Sequence, residues 1–317
     1  MTKINFVASQ THYVEHLAPV WASLKPEFRG SFLTSTSEAR QEAEKHGIPS
    51  QGLVTGAPLT VVASFTDYLR TDGAVAFMEH GVGHTYGNDH PSYAGSTGKH
   101  RVELFLCPNE FTANRNRKTY PDSVVKVVGV PKLDKLKIRP PEGRVVTISF
   151  HWDAQIAPEA RTALPVFRRV LSQLPKDERF SIIGHCHPRP GWPEKMKKVY
   201  ANANIPFVQS FADILDRADL YVVDVSSTAY EFAAAGRPVI HLNAPWYRRN
   251  INHGLRFWEH LPGPMVDTAY RLADTINNTL NNPQQYEQQR LNAVRYVTPH
   301  IGEASRLAAE ALEAHVS

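Results

Sequence analysis

The stretch Asp219-Leu-Tyr-Val-Val-Asp-Val-Ser-Ser-Thr-Ala-Tyr-Glu-Phe-Ala-Ala-Ala-Gly-Arg-Pro-Val-Ile-His241 decides the fold class. An apolar run ends at Asp224, a helix opens at Ser226-Ser227-Thr228, Gly236 stops it, and Pro238-Val239-Ile240 begins a new strand. Strand, helix and strand joined by short turns make a βαβ unit, whose strands run parallel. Ligands of such sheets lie beyond the carboxyl ends of the strands, so chemistry is sought in the residues that follow each strand. Here three hydroxyl side chains and the unpaired N–H groups of a helix opening suit a pyrophosphate. Glu231, one turn in, is placed to reach ribose hydroxyls. The plainer role for Ser226 and Ser227 is helix capping, worth roughly 1 kcal/mol each.

Working outward, the same alternation covers the chain. The N-terminal half reads as strands 3–8, 30–34, 59–64, 74–78, 102–107 and 124–128, with helices 13–25, 36–46 and near 109–118. The Pro/Gly-rich segment Ile138-Arg-Pro-Pro-Glu-Gly143 interrupts it as a linker. A second series follows, with strands 144–150, 179–185, 206–208, 219–224 and 237–242 and helices 158–173, 193–202, 211–217 and 227–235. The tail, 268–281, 283–296 and 302–315, is helical. The pattern predicts α/β architecture with two Rossmann-like doubly wound parallel-sheet domains facing a cleft. The expected bounds are 1–139 for the first domain and 144–300 for the second. A last helix, 301–317, is expected to pack back on the first domain. A chain of 317 residues exceeds the usual size of a single core, which also argues for two domains.

Composition narrows the classes. With 42% hydrophobic and 21% charged residues the chain is an ordinary globular protein, which excludes disordered and fibrous classes. No apolar run reaches the ~18 residues of a membrane span, and the apolar start suits a first strand better than a signal peptide. Cys107 and Cys186 stand far apart in no paired motif, as in a reducing cytoplasm, so a cytoplasmic location is expected. A net charge of +4 favours anionic ligands without requiring them.

Three further motifs stand beside the first: Met78-Glu-His-Gly-Val-Gly-His84, Val127-Val-Gly-Val-Pro-Lys-Leu-Asp-Lys-Leu136 and Ile182-Ile-Gly-His-Cys-His-Pro-Arg189. In order and spacing the four motifs, over about residues 78–242, resemble those of the CDP-glycerol glycerophosphotransferases that make teichoic acids. That resemblance implies the GT-B architecture, with 1–139 as the acceptor domain and 144–300 as the nucleotide-donor domain. It implies a transferase moving a glycosyl or glycerophosphate group from a nucleotide-diphosphate sugar or CDP-glycerol donor to an acceptor hydroxyl. It makes His80 the catalytic base and His187 a holder of donor phosphate. Ser226, Ser227 and Thr228 cradle the pyrophosphate, and Gly129, Pro131 and Asp134 shape the loop between the domains. Lys132 stands where the family usually has Arg, which keeps the charge without the bidentate fork. Glu231 replaces the Asp of many members. The segment Ile205-Pro-Phe-Val-Gln-Ser210, with Val208, is expected to meet the base, and Arg248 and Arg249, after the last parallel strand, to meet phosphate. The landmarks are also similar to those of the UDP-N-acetylglucosamine 2-epimerases, so a UDP-sugar epimerase or nucleotide-sugar hydrolase is the alternative. The epimerases usually show Asp-Ser-Gly-Gly where this chain has Asp224-Val-Ser-Ser, and they carry an additional acidic pair. A non-catalytic nucleotide-binding protein is a third class.

Fifteen histidines invite a metal reading, but the pattern argues against it. Gly81 and Gly83 oppose the helix that would aim His80 and His84 at one ion, and strand alternation sends His185 and His187 to opposite faces. With no Asp-x-Asp triplet, metal independence and no cofactor beyond the donor are expected. His80, between a strand and a glycine, suits general base work, because a neutral imidazole accepts the proton of an attacking hydroxyl. His12 and His16, after the first strand, are rivals for that role. The basic residues Arg115-Asn-Arg-Lys118, Lys126, Lys135 and Arg139 read as solvated surface, or as steering for a polyanionic acceptor such as wall polymer or DNA. A small-molecule acceptor is equally compatible.

Overall fold

The computed structural model describes residues 3–49, 57–82, 98–155, 158–247 and 259–317. They fall into two compact units, the first within Met1–Leu136 and Thr298–Ser317, the second within Lys137–Asn252 and Arg256–Val297.

In the first unit, β1 (Ile4–Ala8), α1 (Thr11–Ser23), β2 (Arg29–Thr34), α2 (Ser37–Lys45), β3 (Leu59–Val62), α3 (Phe65–Leu69), β4 (Val75–Met78), β5 (Val102–Cys107), α4 (Glu110–Thr119) and β6 (Val124–Val127) follow in order. The six strands form one parallel sheet in the order β2-β1-β3-β4-β5-β6. β3 and β4 are buried throughout, as strands covered on both faces must be, whereas the edge strand β6 alternates between exposed and half-buried residues. The order reverses direction between β1 and β3, and that switch point is where an open sheet leaves a crevice at its carboxyl edge.

The second unit runs β7 (Val145–Phe150), α5 (Leu164–Phe167), β8 (Ser181–Cys186), α6 (Trp192–Asn202), α7 (Phe211–Arg217), β9 (Leu220–Val223), α8 (Thr228–Ala234), β10 (Val239–Leu242), β11 (Met265–Val266), α9 (Leu272–Asn281) and α10 (Glu287–Val297). Its parallel sheet has the order β11-β10-β9-β7-β8, with the switch point between β7 and β9.

Two expected elements differ. The strand 206–208 is a single bridge, Phe207 to Gly184, held by Gly184 N–H to Pro206 O (2.7 Å) and Val208 N–H to Gly184 O (2.8 Å). Pro206 has no N–H to extend a ladder, so this segment covers the edge of β8 without joining it as a strand. The helix 158–173 is broken into a 3₁₀ turn at Pro158–Ala160 and the single turn α5. Pro165 cannot donate to a preceding turn, and the Ala163 N–H goes instead to Asp224 (2.9 Å).

The last helix, α11 (Ala304–Val316), belongs to the first unit, where Ala308, Ala309 and Leu312 join a core with Val14, Leu17 and Leu104. Nothing local caps its N-terminus. Asp134 does so from far upstream, accepting from the N–H groups of Gly302 (3.0 Å), Ala304 (3.0 Å) and Ser305 (2.7 Å). A carboxylate at a helix N-terminus also meets the positive end of its dipole. Gly129, just after β6, lies against the segment Pro299–Ala304 that leads into this helix. Its φ is +87°, and a Cβ there would lie 2.5 Å from the Pro299 carbonyl oxygen.

Candidate functional site

The carboxyl edge of the second sheet gathers polar side chains at its switch point. Beyond β9, Asp224 is 2% exposed and accepts three hydrogen bonds, from His151 N–H (2.8 Å), Ala163 N–H (2.9 Å) and the Thr162 hydroxyl (3.2 Å). Burial raises its carboxyl to about 6 against the opposing pull of those donors. Asp224 therefore clamps the loop after β7 to the end of β9. Asp224→Ala leaves three inward donors without an acceptor, at about 1–3 kcal/mol each, so its urea unfolding midpoint should drop sharply. An unchanged midpoint would remove Asp224 from this role.

The clamped loop carries His151. Its Nδ1 faces two carbonyl oxygens, Ala160 (2.7 Å) and Trp152 (3.1 Å), so Nδ1 bears the proton and Nε2 the lone pair. Its ring meets that of His187 edge-on at 4.6 Å between centroids. In His187 the tautomer is reversed. Its Nδ1 accepts the backbone N–H of Arg189 (3.1 Å), which puts the proton of the neutral ring on Nε2. His187 is thus oriented as a hydrogen-bond donor.

From the core a chain of hydroxyls leads to the same edge. His185 Nδ1 lies 2.9 Å from Ser149 Oγ and 3.3 Å from Tyr221 Oη, and Tyr221 Oη lies 3.0 Å from Thr228 Oγ1. Thr228 Oγ1 in turn lies 2.7 Å from Ser226 Oγ, which also accepts the Thr228 N–H (3.3 Å). In the two hydroxyl pairs either oxygen can donate, whereas the Thr228 N–H fixes Ser226 Oγ as an acceptor. Ser227, at the N-cap position, makes no side-chain capping bond. Helix α8 has only seven residues, so oriented hydroxyls carry more of the attraction for an anion here than its dipole does.

The first unit presents a second set. His80 follows β4, half-buried, and its Nδ1 is bonded to the carbonyl oxygen of Ala63 at the end of β3. A carbonyl only accepts, so the proton sits on Nδ1 and Nε2 keeps its lone pair. The rings of Tyr13 and His12 lie 4.9 Å and 6.1 Å from that of His80. Lys132 sits in the 3₁₀ turn Pro131–Leu133, which packs against α1. Glu79, beside His80, is fully buried and paired with Lys99 at 2.8 Å, with Asn116 donating to it at 3.1 Å. That carboxylate is spent on the core.

The structure thus brings His187, Ser226, Ser227 and Thr228 to one sheet edge and leaves His80 and Lys132 in the other unit. Glu231 is 2% exposed and Val208 9%, so each offers little surface to a nucleotide. Arg248, Arg249 and His84 lie outside the described residues. Asp134, expected to shape a loop, instead caps α11. Sequence reading passed over His151, although it directly follows a strand, where the switch-point rule would have found it. A cavity of about 580 Å³ lies between α5 and α6, lined by Leu164, Arg168, Trp192 and Lys198 among others. None of Ser226, Ser227, Thr228 or His187 lines it. Among the described residues no cluster of His, Cys, Asp and Glu is able to hold a metal ion, and no helix is long and apolar enough to cross a membrane.

Residues 169–307 match the family model of CDP-Glycerol:Poly(glycerophosphate) glycerophosphotransferases. The chain resembles that family. The match spans less than half the chain, and it contains the His187 and Ser226–Thr228 motifs of the glycerophosphotransferases. No curated protein matches by sequence. Among solved structures, the wall teichoic acid polymerase TagF superposes with a TM-score of 0.67 at 14% identity, covering 99% of this chain and 88% of that one. The UDP-GlcNAc 2-epimerase from Neisseria meningitidis, bound to UDP-GlcNAc, gives 0.66 at 15% identity, covering 99% and 100%. MnaA of S. aureus, with UDP, gives 0.66 at 13%, covering 100% and 96%. At these identities the likeness is one of fold, and the fold is GT-B.

Proposed function

We propose that this chain transfers a glycerophosphate group from a CDP-glycerol-type donor to an acceptor hydroxyl. The observation that carries the reading is the polar edge of the second sheet, where His187 keeps its proton on Nε2 and the Ser226 and Thr228 hydroxyls lie 2.7 Å apart. In the first unit His80 carries its proton on Nδ1 and keeps a lone pair on Nε2, as a base requires. The family match over the second unit supports the choice of donor.

In this reading the acceptor oxygen attacks the β-phosphorus and forms the new P–O bond. The bridging P–O bond breaks toward the nucleotide, which leaves as the monophosphate, and the acceptor proton passes to His80 Nε2. Charge grows on the leaving phosphate, where prepositioned donors that need no reorganisation lower the barrier most. His187 and Ser226 are those donors. The chain itself supplies acid–base and electrostatic catalysis, and the donor is substrate.

Calorimetry with CDP-glycerol, UDP-GlcNAc and the bare nucleotides tests the donor. We expect CDP-glycerol to bind, and Ser226→Ala with Ser227→Ala to weaken it by about 1–3 kcal/mol per lost charge-assisted bond while the fold survives. Unaltered affinity would return both serines to backbone roles. The second reading, a nucleotide-sugar epimerase or hydrolase, is favoured by the end-to-end match in length to the Neisseria enzyme. Against it, the carboxylate adjoining His80 is sealed by Lys99. NMR of UDP-GlcNAc incubated with the protein and no acceptor separates the two, since only the second reading consumes the sugar nucleotide.

A further inference from the structure

One histidine at the carboxyl edge of the second sheet takes no part in the transfer step. His151 directly follows β7, beside the switch point between β7 and β9. Three contacts hold it. Its backbone N–H donates to Asp224 (2.8 Å), and its Nδ1–H faces the carbonyl oxygens of Ala160 (2.7 Å) and Trp152 (3.1 Å). A ring turned over would set no proton against those two oxygens, so orientation and tautomer are fixed together. Burial, aided by the charge of Arg189, lowers the imidazole to about 4 against the pull of the two carbonyls, so the ring is neutral at neutral pH. Nε2 is left with a lone pair alone. It makes no hydrogen bond among the described residues, and the side chain is only half-buried. The neighbouring group has the opposite character. His187 N–H bonds to the Phe150 carbonyl (3.1 Å), which sets the two histidines side by side with their rings edge-on at 4.6 Å, and His187 keeps its proton on Nε2.

An ionised phosphate oxygen only accepts hydrogen bonds and has nothing to give such a nitrogen, whereas a hydroxyl donates. We propose that His151 is a specificity-determining residue of the donor site, whose Nε2 accepts a hydrogen bond from a hydroxyl that the donor carries next to its diphosphate, on the transferred group or on the ribose. The inference rests on the transferase reading and adds to it the recognition of what the phosphate bears. A donor that covers the lone pair without supplying an O–H leaves it unpaired in a dry position, which disfavours the hydroxyl-free analogue.

Calorimetry compares two pairs of ligands: CDP-glycerol with the CDP ester of propanol, which lacks both glycerol hydroxyls, and CDP with 2′,3′-dideoxy-CDP. Wild-type protein should favour the hydroxylated member of one pair about ten-fold, and that pair names the hydroxyl. His151→Asn should bind both members of the pair alike, because its amide N–H replaces Nδ1–H on the Ala160 carbonyl and nothing stands in place of Nε2. His151→Gln, whose amide oxygen reaches that place, should restore part of the preference. Ring-nitrogen NMR of the wild type reads the same contact with no substitution that could disturb folding. There Nε2 of His151 should resonate as an unprotonated nitrogen and shift with the hydroxylated ligand alone. Equal affinity within both pairs in wild type, or a preference unchanged in His151→Asn, would overturn the proposal, as would a proton on Nε2 or a resonance unmoved by ligand. Turnover of CDP-glycerol is followed on the same samples. A preference that depends on His151 without glycerophosphate transfer would sink the transferase reading and keep the role of this residue. Transfer without such a preference would remove that role alone.

Discussion

His80→Ala is expected to lower kcat by roughly 10²–10⁴, the span for loss of acid–base catalysis, with the Kd for donor nearly unchanged. The expectation rests on the Ala63 carbonyl, which holds the Nδ1 proton and so turns a lone pair outward on Nε2. Glutamine at this position keeps polarity and volume but takes up no proton, so His80→Gln should be as slow as the alanine variant. His12→Ala and His16→Ala are the controls. Both should leave kcat within a few-fold. Full turnover in His80→Ala with collapse of kcat in His12→Ala would move the base to the first loop. Loss of donor binding in His80→Ala would mean that the residue orders the protein and carries no proton.

The second large effect is an acid instability. Burial drives His185 and His241 from near 6.5 down to about 4, and both are almost fully buried, at 4% and 3% exposure. His16, equally buried, is lowered as well. Between about 6.5 and 4 the unfolded chain binds protons that the folded chain refuses, so stability is complete above that window and falls as pH drops through it. Each of His185 and His241 contributes about 3 kcal/mol across the full shift. Asp224 works in the opposite sense. Its folded carboxyl, raised to about 6, keeps a proton that the unfolded one has released, which returns about 3 kcal/mol at most on acidification. The histidines outnumber it. Circular dichroism should show a level signal from pH 8 to 6.5 and cooperative unfolding centred between 6.5 and 4, beginning earlier than carboxylate titration alone would produce. A protein fully folded at pH 4 would contradict this.

The parallel sheets were legible because their strands are short continuous apolar runs, as Leu220–Val223 and Val75–Met78 illustrate, punctuated by helix caps and glycines. Helix α3 was missed because five residues are too few for a 3.6-residue period to show. The 158–173 helix was misread because its break depends on Asp224, sixty residues downstream, taking the Ala163 N–H. Of the candidate sites, the residues that follow strands stood out by position alone. What a sequence cannot supply is which atom a neighbour faces. The opposite tautomers of His80 and His187 come from one carbonyl at Ala63 and one N–H at Arg189, and the place of Lys132 comes from the packing of its turn on α1. Asp134 is the same lesson inverted: a motif residue whose partners lie at the far end of the chain.

That capping contact has a bearing on how the protein is made. The core of the first unit includes Ala308, Ala309 and Leu312, and the helix bearing them is secured by Asp134 at one end and by the Glu313–Lys25 contact (3.0 Å) near the other. A nascent chain emerges from its amino end, so the first hundred or so residues leave the ribosome with an apolar groove whose cover has yet to be synthesised. The second unit, translated later, has every one of its strands and helices in hand before α11 exists. The domain begun first is therefore the one completed last, and its exposed groove is the segment of the assembly most in need of protection during translation.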